Sequence, residues 1–269
     1  MITLGVNSVL FRQFDFPTAA RRIAACGYDG VEISAIQGMC EHLELSRWQE
    51  QAGDLRAVLA ETGLRFLSME VAGIGDEARL EAAFEAGAAL GIPVVNVGPG
   101  GRAGQAGDLE ASIARLGALA ARAERHGVTL CVKAHVGAAI FDTPTTRAAM
   151  EAIPSAGFGI DMDPSHIFRA GERPEEAIRH VLPRVRHVHI RDYRNGQPGP
   201  GPIELQACGR GDIDLYQYCA ELVAGHYAGP VCLEVIGAGP QHDLAQVTTV
   251  AAESYGYLNA CLRRLGGRR

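Results

Sequence analysis

Phe158-Gly-Ile-Asp-Met-Asp-Pro-Ser-His166 is an apolar run that ends in a carboxylate, a proline and a histidine. A short buried run that stops at polar residues and gives way to a helix is one beat of an alternating strand and helix chain. The same beat recurs on both sides of it. The strand-like runs are Ile2 to Asn7, Gly30 to Ser34, Leu64 to Val71, Val94 to Gly98, Thr129 to His135, Phe158 to Asp163, Val185 to Asp192 and Pro230 to Val235. Between and after them lie helical patterns over Phe16 to Cys26, Leu45 to Thr62, Glu77 to Leu90, Asp108 to His126, Pro144 to Ile153, Pro174 to Leu182, Leu215 to His226 and Leu244 to Leu265. Gly27 and Gly63 suit helix C-termini. Thr143 is the expected N-cap before Pro144, and Asp214 the expected N-cap of the next long helix but one.

Strands alternating with helices imply a parallel sheet. Eight such units in one unbroken chain have the size of a closed (β/α)8 TIM barrel, so residues 1–269 are read as a single domain. An open doubly wound sheet is the alternative. It would place a glycine-rich dinucleotide loop after the first strand, and Val6-Asn-Ser-Val-Leu-Phe11 has no glycine.

Bulk composition narrows the function classes. The chain has 269 residues, is 47% hydrophobic and carries a net charge of −6, which argues against a nucleic-acid partner. Seven scattered cysteines without a C-x-x-C pair point to a reducing cytoplasm, not a disulfide scaffold. The N-terminus lacks the pattern of a signal peptide, and no run approaches the ~20 apolar residues of a membrane span. The expectation is a cytoplasmic protein with a small-molecule partner, no membrane and no nucleic acid. Self-association into a homo-oligomer is compatible with the sequence.

In a barrel of this kind the chemistry sits at the C-terminal ends of the strands. There the chain places Glu32, Glu70, Asn96, Lys133 and His135, Asp163 and His166, then His189, Arg191 and Asp192, and last Glu234. A charge that interrupts an apolar strand must be paired, ligated or wet. The bland readings are an ion pair for Glu32, a loop-fixing amide for Asn96, a solvent-facing Glu70 and a packing role for His187. Asp163, His189 and Glu234 on three successive strands are expected in one site. Two carboxylates and an imidazole would suit Mn²⁺, Mg²⁺, Co²⁺, Zn²⁺ or Fe²⁺. The Gly98–Gly104 loop reads as flexible, since it lacks the tail of a phosphate-binding loop.

These residues together resemble the xylose isomerase-like (β/α)8 barrels, the sugar phosphate isomerase and epimerase group that also includes endonuclease IV. The resemblance runs over nearly the whole chain. It rests on Gly30-Val-Glu-Ile, Asp163-Pro-Ser-His166 with Ala170-Gly171, His187-Val-His-Ile-Arg-Asp192, Gly209-Arg-Gly-Asp-Ile-Asp214 and Leu233-Glu234. It implies that Asp163, His189 and Glu234 are metal ligands, that His166 and Arg194 contact substrate, and that Glu32 and His135 line the same pocket; Asn96, from its strand-end position, is a further candidate for substrate binding. The family's ketose epimerases carry a glutamate at the end of the fifth strand. Here that position is Lys133, in Lys133-Ala-His135.

Three readings of Lys133 follow. It could move protons beside a retained metal, with its pKa lowered by cation and burial. It could take the cation's place, salt-bridged to Asp163 and Glu234. It could form a Schiff base with a carbonyl substrate. The expected activity is isomerisation or epimerisation of a small sugar or polyol carbonyl compound, divalent-metal assisted, by proton abstraction next to the carbonyl. Glu234 and Lys133 are the expected acid/base pair, with His166 beside them. Dehydration of a similar substrate and a metal-free sugar-binding or partner subunit are the alternatives.

Overall fold

The computed structural model describes residues 1–269. Eight parallel strands close into a barrel: Thr3–Asn7, Gly30–Ile36, Arg65–Ala72, Val94–Val97, Thr129–Lys133, Phe158–Asp161, Val185–Ile190 and Pro230–Leu233. Closure is explicit in the pairing, since the first strand bonds both the second and the eighth. The strands are buried on both faces, as a sheet wrapped by helices requires.

Helices Phe16–Ala25, Trp48–Thr62, Glu77–Leu90, Asp108–Arg125, Thr143–Ala152, Pro174–Val181, Leu215–Ala224 and Leu244–Arg264 form the outer layer. Their starts are written in local chemistry. Asp15, Asp76, Asp214 and Asp243 each accept a backbone N–H of the first turn. Asp142, not Thr143, caps the fifth long helix, in a reciprocal capping box with Thr145, and Thr143 is its first residue. Gly63 ends its helix in the left-handed conformation, at φ 71°.

Two elements go beyond the sequence reading. Cys40–Glu41 adds an antiparallel rung to the second barrel strand. More consequentially, the sixth strand stops at Asp161 and Asp163 becomes the N-cap of a short helix, Pro164–Arg169. The Gly209–Asp214 motif closes on Asp192. The Asp192 carboxylate accepts backbone N–H groups of Tyr193, Gly209 and Ile213. A Cβ at Gly211 would collide with that carboxylate, so the loop needs glycine there. All seven cysteines are free. No helix is long and apolar enough to cross a membrane.

Candidate active site

At the C-terminal ends of the strands lies a cavity of about 370 Å³, lined by Glu70, Lys133, His135, His166, Arg169, Arg191 and Glu234 among others. A larger groove between outer helices, near Thr143 and His180, shares no lining residue with it and has no comparable set of buried charges. The barrel-mouth cavity is the candidate site.

Strand register assembles its floor. Glu70, on the third barrel strand, is opposite Asn96 on the fourth, and Lys133 on the fifth is opposite Asp161 on the sixth. The Lys133 ammonium donates to Glu234 Oε1 at 2.6 Å and to Glu70 Oε1 at 3.1 Å. That leaves one of its donors for a ligand. Burial lowers the lysine's pKa, but Glu234 and Glu70 outweigh it and hold the ammonium above the ordinary lysine range. The lysine is therefore a fixed cation, and the expected lowering of its pKa is corrected.

One ammonium serves two carboxyl groups, and the closer one takes the charge. Burial raises Glu234's pKa, but Lys133, His189 and Arg191 together hold it well below the usual carboxylate range. Burial and the Glu234 charge push Glu70 up to about 8. Two neighbouring carboxyl groups whose pKa values are driven apart are a ready base and acid. Glu70 is 4% exposed, so it does not face solvent as the sequence had suggested. Its other oxygen accepts from Asn7 at 2.5 Å.

His166 sits on the short helix, where its Nδ1 accepts the Val136 N–H and its Nε2 faces Arg191. Burial, with Arg191 next, holds its pKa well below the ordinary range, so the ring is neutral. His135 stacks on it with ring centroids 4.1 Å apart. Burial and Lys133 lower His135 as well.

Beneath the cavity runs a buried chain of polar groups. Ser68 Oγ meets His187 Nε2 at 2.8 Å, and His187 Nδ1 meets Asp161 at 2.9 Å. His189 lies between Asp161, 2.7 Å from its Nδ1, and Glu32, 2.5 Å from its Nε2. The Asp161 contact lacks hydrogen-bond alignment and acts through charge. Asn96 Nδ2 donates to Glu32 at 2.6 Å. Burial opposes charge on His189, yet Asp161 and Glu32 hold its pKa well above the ordinary range. Glu32 and Asp161 are lowered in return, against burial, chiefly by His189.

The sequence-chosen residues divide accordingly. Lys133, His135, His166 and Glu234 share the cavity. Glu32, Asn96 and His189 form the layer below. Asp163 turns one oxygen to the N–H and hydroxyl of Ser165 and leaves the other 3.7 Å from Arg191. Arg194 is exposed and donates to the Arg210 carbonyl, away from the cavity lining. The guanidinium over the site belongs to Arg191. Arg191 already stands among the polar residues the sequence places at strand ends, and strand alternation favours it over Arg194, because His187, His189 and Arg191 fall on one face. Asp161 was missed for a related reason: it shares a face with Asp163 but the run was read as ending only at Asp163.

Side chains that could hold a metal ion are present. Donor atoms of Glu32, Glu70 and His189 lie within 4.8 Å of one another, as do those of Asp161, His187 and His189. The set implied by the resemblance is not gathered in this way: Asp163 and Glu234 belong to no such group. The ammonium of Lys133 and the guanidinium of Arg191, 2.6 and 3.4 Å from Glu234, put two positive charges against its carboxylate. The inherited ligand set therefore does not fit a divalent cation held by Glu234.

Comparison with known proteins agrees with the architecture. A family model described as a xylose isomerase-like TIM barrel matches residues 20–261. A D-psicose 3-epimerase solved in the presence of D-fructose superposes with a TM-score of 0.78 at 16% identity, over 98% of this chain and 99% of that one. A D-tagatose 3-epimerase-like protein gives 0.76 at 18% identity, over 98% of each. The probable 3-DHS dehydratase AsbF of Bacillus anthracis gives 0.76 at 12% identity, over 96% of this chain and 98% of that one. An inosose dehydratase of Bacillus thuringiensis (strain Al Hakam) is 29% identical over 72 residues, 27% of this chain and 24% of the relative. The chain thus matches about a quarter of the length of that curated relative.

Proposed function

The chain belongs to the xylose isomerase-like TIM barrel family, and from that premise we propose that it is an enzyme that removes a proton next to the carbonyl of a small sugar or polyol compound. The observation that carries this reading is the buried Lys133–Glu234 pair at 2.6 Å, at the bottom of an open cavity. Glu234, kept ionised, is the base. The Lys133 ammonium is a fixed donor for the oxygen on which negative charge develops. Glu70, which holds a proton near neutral pH, returns it to the carbon or oxygen. His166 and His135 line the path of the substrate. Kinship with the epimerase structures supports isomerisation or epimerisation as the outcome. Divalent-metal assistance at Glu234 would require the Lys133 ammonium to leave, so no step here depends on it.

A second reading is dehydration, in which the same enolate expels a neighbouring hydroxyl. It is favoured by Lys133 itself, which replaces one of the paired carboxylates an epimerase of this family uses. Proton NMR in D2O with a panel of ketoses and inososes tests both. Exchange of the proton next to the carbonyl supports the enolisation, and the product separates epimer from dehydrated compound. Absence of exchange in every compound of the panel would overturn this proposal.

A further inference from the structure

The cavity has a second wall, opposite in character to the carboxyl groups around Lys133. It is built by the short helix Pro164–Arg169 and the end of the seventh barrel strand. Arg191, 3% exposed, spends its hydrogen bonds on neutral acceptors. Nε donates to Ser165 Oγ at 2.8 Å and Nη1 to the Glu234 carbonyl at 3.4 Å, while Nη2 lies 3.1 Å from His166 Nε2, which carries the ring proton because Nδ1 accepts from Val136, and so is not spent there. Its carboxylate neighbours stand off, Glu234 Oε2 at 3.4 Å and Asp163 Oδ2 at 3.7 Å. Neither of those oxygens receives a hydrogen bond. A guanidinium carries five N–H donors, so Arg191 retains donors beyond these contacts.

Arg169 lies one turn after His166 on the same helix, and its guanidinium rests 5.5 Å from the ring centroid of Tyr193, two residues past Arg191. It lines the cavity and has no carboxylate partner. The aromatic face holds it in place without neutralising it. Two planar forks with unspent donors thus share one wall. A neutral polyol leaves the Arg169 charge unmatched, whereas a carboxylate matches a guanidinium's geometry in pairs of parallel hydrogen bonds.

We infer that the Arg169 and Arg191 wall binds a carboxylate of the substrate, which makes the compound a sugar acid whose carbonyl end meets Lys133 and Glu234. The inference rests on the proton-abstraction reading for that carbonyl end. Calorimetric titration of the intact protein with D-glucuronate, D-galacturonate and D-fructuronate tests it, each against its neutral parent sugar, with D-fructose 6-phosphate as a further probe. At least one acid is expected to bind about tenfold or more tightly than its parent, the scale of one charge-assisted hydrogen bond. Arg169→Gln should lower the ratio of acid affinity to parent affinity by about that factor. Arg169→Lys, which keeps the charge and loses the fork, should restore part of it. The inference is overturned if no acid outbinds its parent, if the phosphate alone binds, or if Arg169→Gln leaves the preference intact. Binding and exchange fail separately. An acid that binds by this wall but exchanges no proton sinks only the catalytic reading, and exchange on neutral ketoses without acid preference sinks only this one.

Discussion

Lys133 stands 2.6 Å from Glu234 and so ties the fifth barrel strand to the eighth across the mouth of the barrel. A buried pair of this kind is costly to break from one side, because the remaining charge is left without a partner. Lys133→Met is expected to destabilise the protein by about 3 kcal/mol or more and to abolish proton exchange. Denaturant unfolding and deuterium exchange check the two effects independently. Unchanged turnover would remove Lys133 from the mechanism.

Lys133→Glu has a different expected result. It places a carboxylate where the positive charge now stands, beside Glu234. Metal content after incubation with Mn²⁺ should rise above that of the wild-type protein, as measured by elemental analysis. Equal occupancy in the two proteins would contradict the view that the ammonium keeps a cation from Glu234.

Glu70 gives a pH prediction. Its pKa rises from 4.5 in the unfolded chain to about 8 in the fold. Between those values the folded state holds a proton that the unfolded state has released. The stabilising contribution is therefore complete below pH 4.5 and lost as pH rises through about 8. Glu70→Gln mimics the protonated form and should flatten that decline. Urea midpoints measured from pH 5 to 9 in both proteins decide it. An identical pH slope would show that Glu70 is ionised throughout.

The layer below makes a stability prediction of its own. Asp161 serves His187 and His189 together. Asp161→Ala should remove the hydrogen-bond partner of His187 Nδ1 and one of the two carboxylates that flank His189, and cost about 3–5 kcal/mol, the scale for removing one member of a buried charged set. Chemical denaturation measures it, and a loss under 1 kcal/mol would mean that the histidines find other partners.

Ala72, at the end of the third barrel strand and on the cavity wall, has φ 67°. That is the left-handed region, which glycine enters without the cost of a Cβ. Ala72→Gly is expected to stabilise the fold by about 1 kcal/mol. A lower melting temperature would show that the methyl group packs well enough to offset the strain.

Particular residues show how far the sequence could be read. The barrel was legible because strand-like and helical runs alternate without a break and five of the eight outer helices start at an aspartate cap. The cavity residues Lys133, His135, His166 and Glu234 were legible as polar interruptions at strand ends. What was not legible depended on where strands stop. Pro164 at the first helical position behind Asp163 ends the sixth strand early and turns Asp163 into a cap. That frees Asp161 to serve the histidines. Arg194 and Arg191 lie three residues apart, and only strand alternation separates the one exposed in the loop from the one aimed into the cavity. Glu70 and Lys133, 63 positions apart, meet because the third and fifth strands flank the fourth in the curved sheet.

The chain from Ser68 through His187, Asp161 and His189 to Glu32 and Asn96 joins strands from the first half of the sequence to strands from the second. Each half supplies charges that the other half neutralises. A half-barrel made alone would bury Glu32 without His189, or Asp161 with its histidines but without Glu32. Such fragments should stay unfolded when separate and assemble only when mixed, so the polar floor of the site also decides that this barrel folds as one piece.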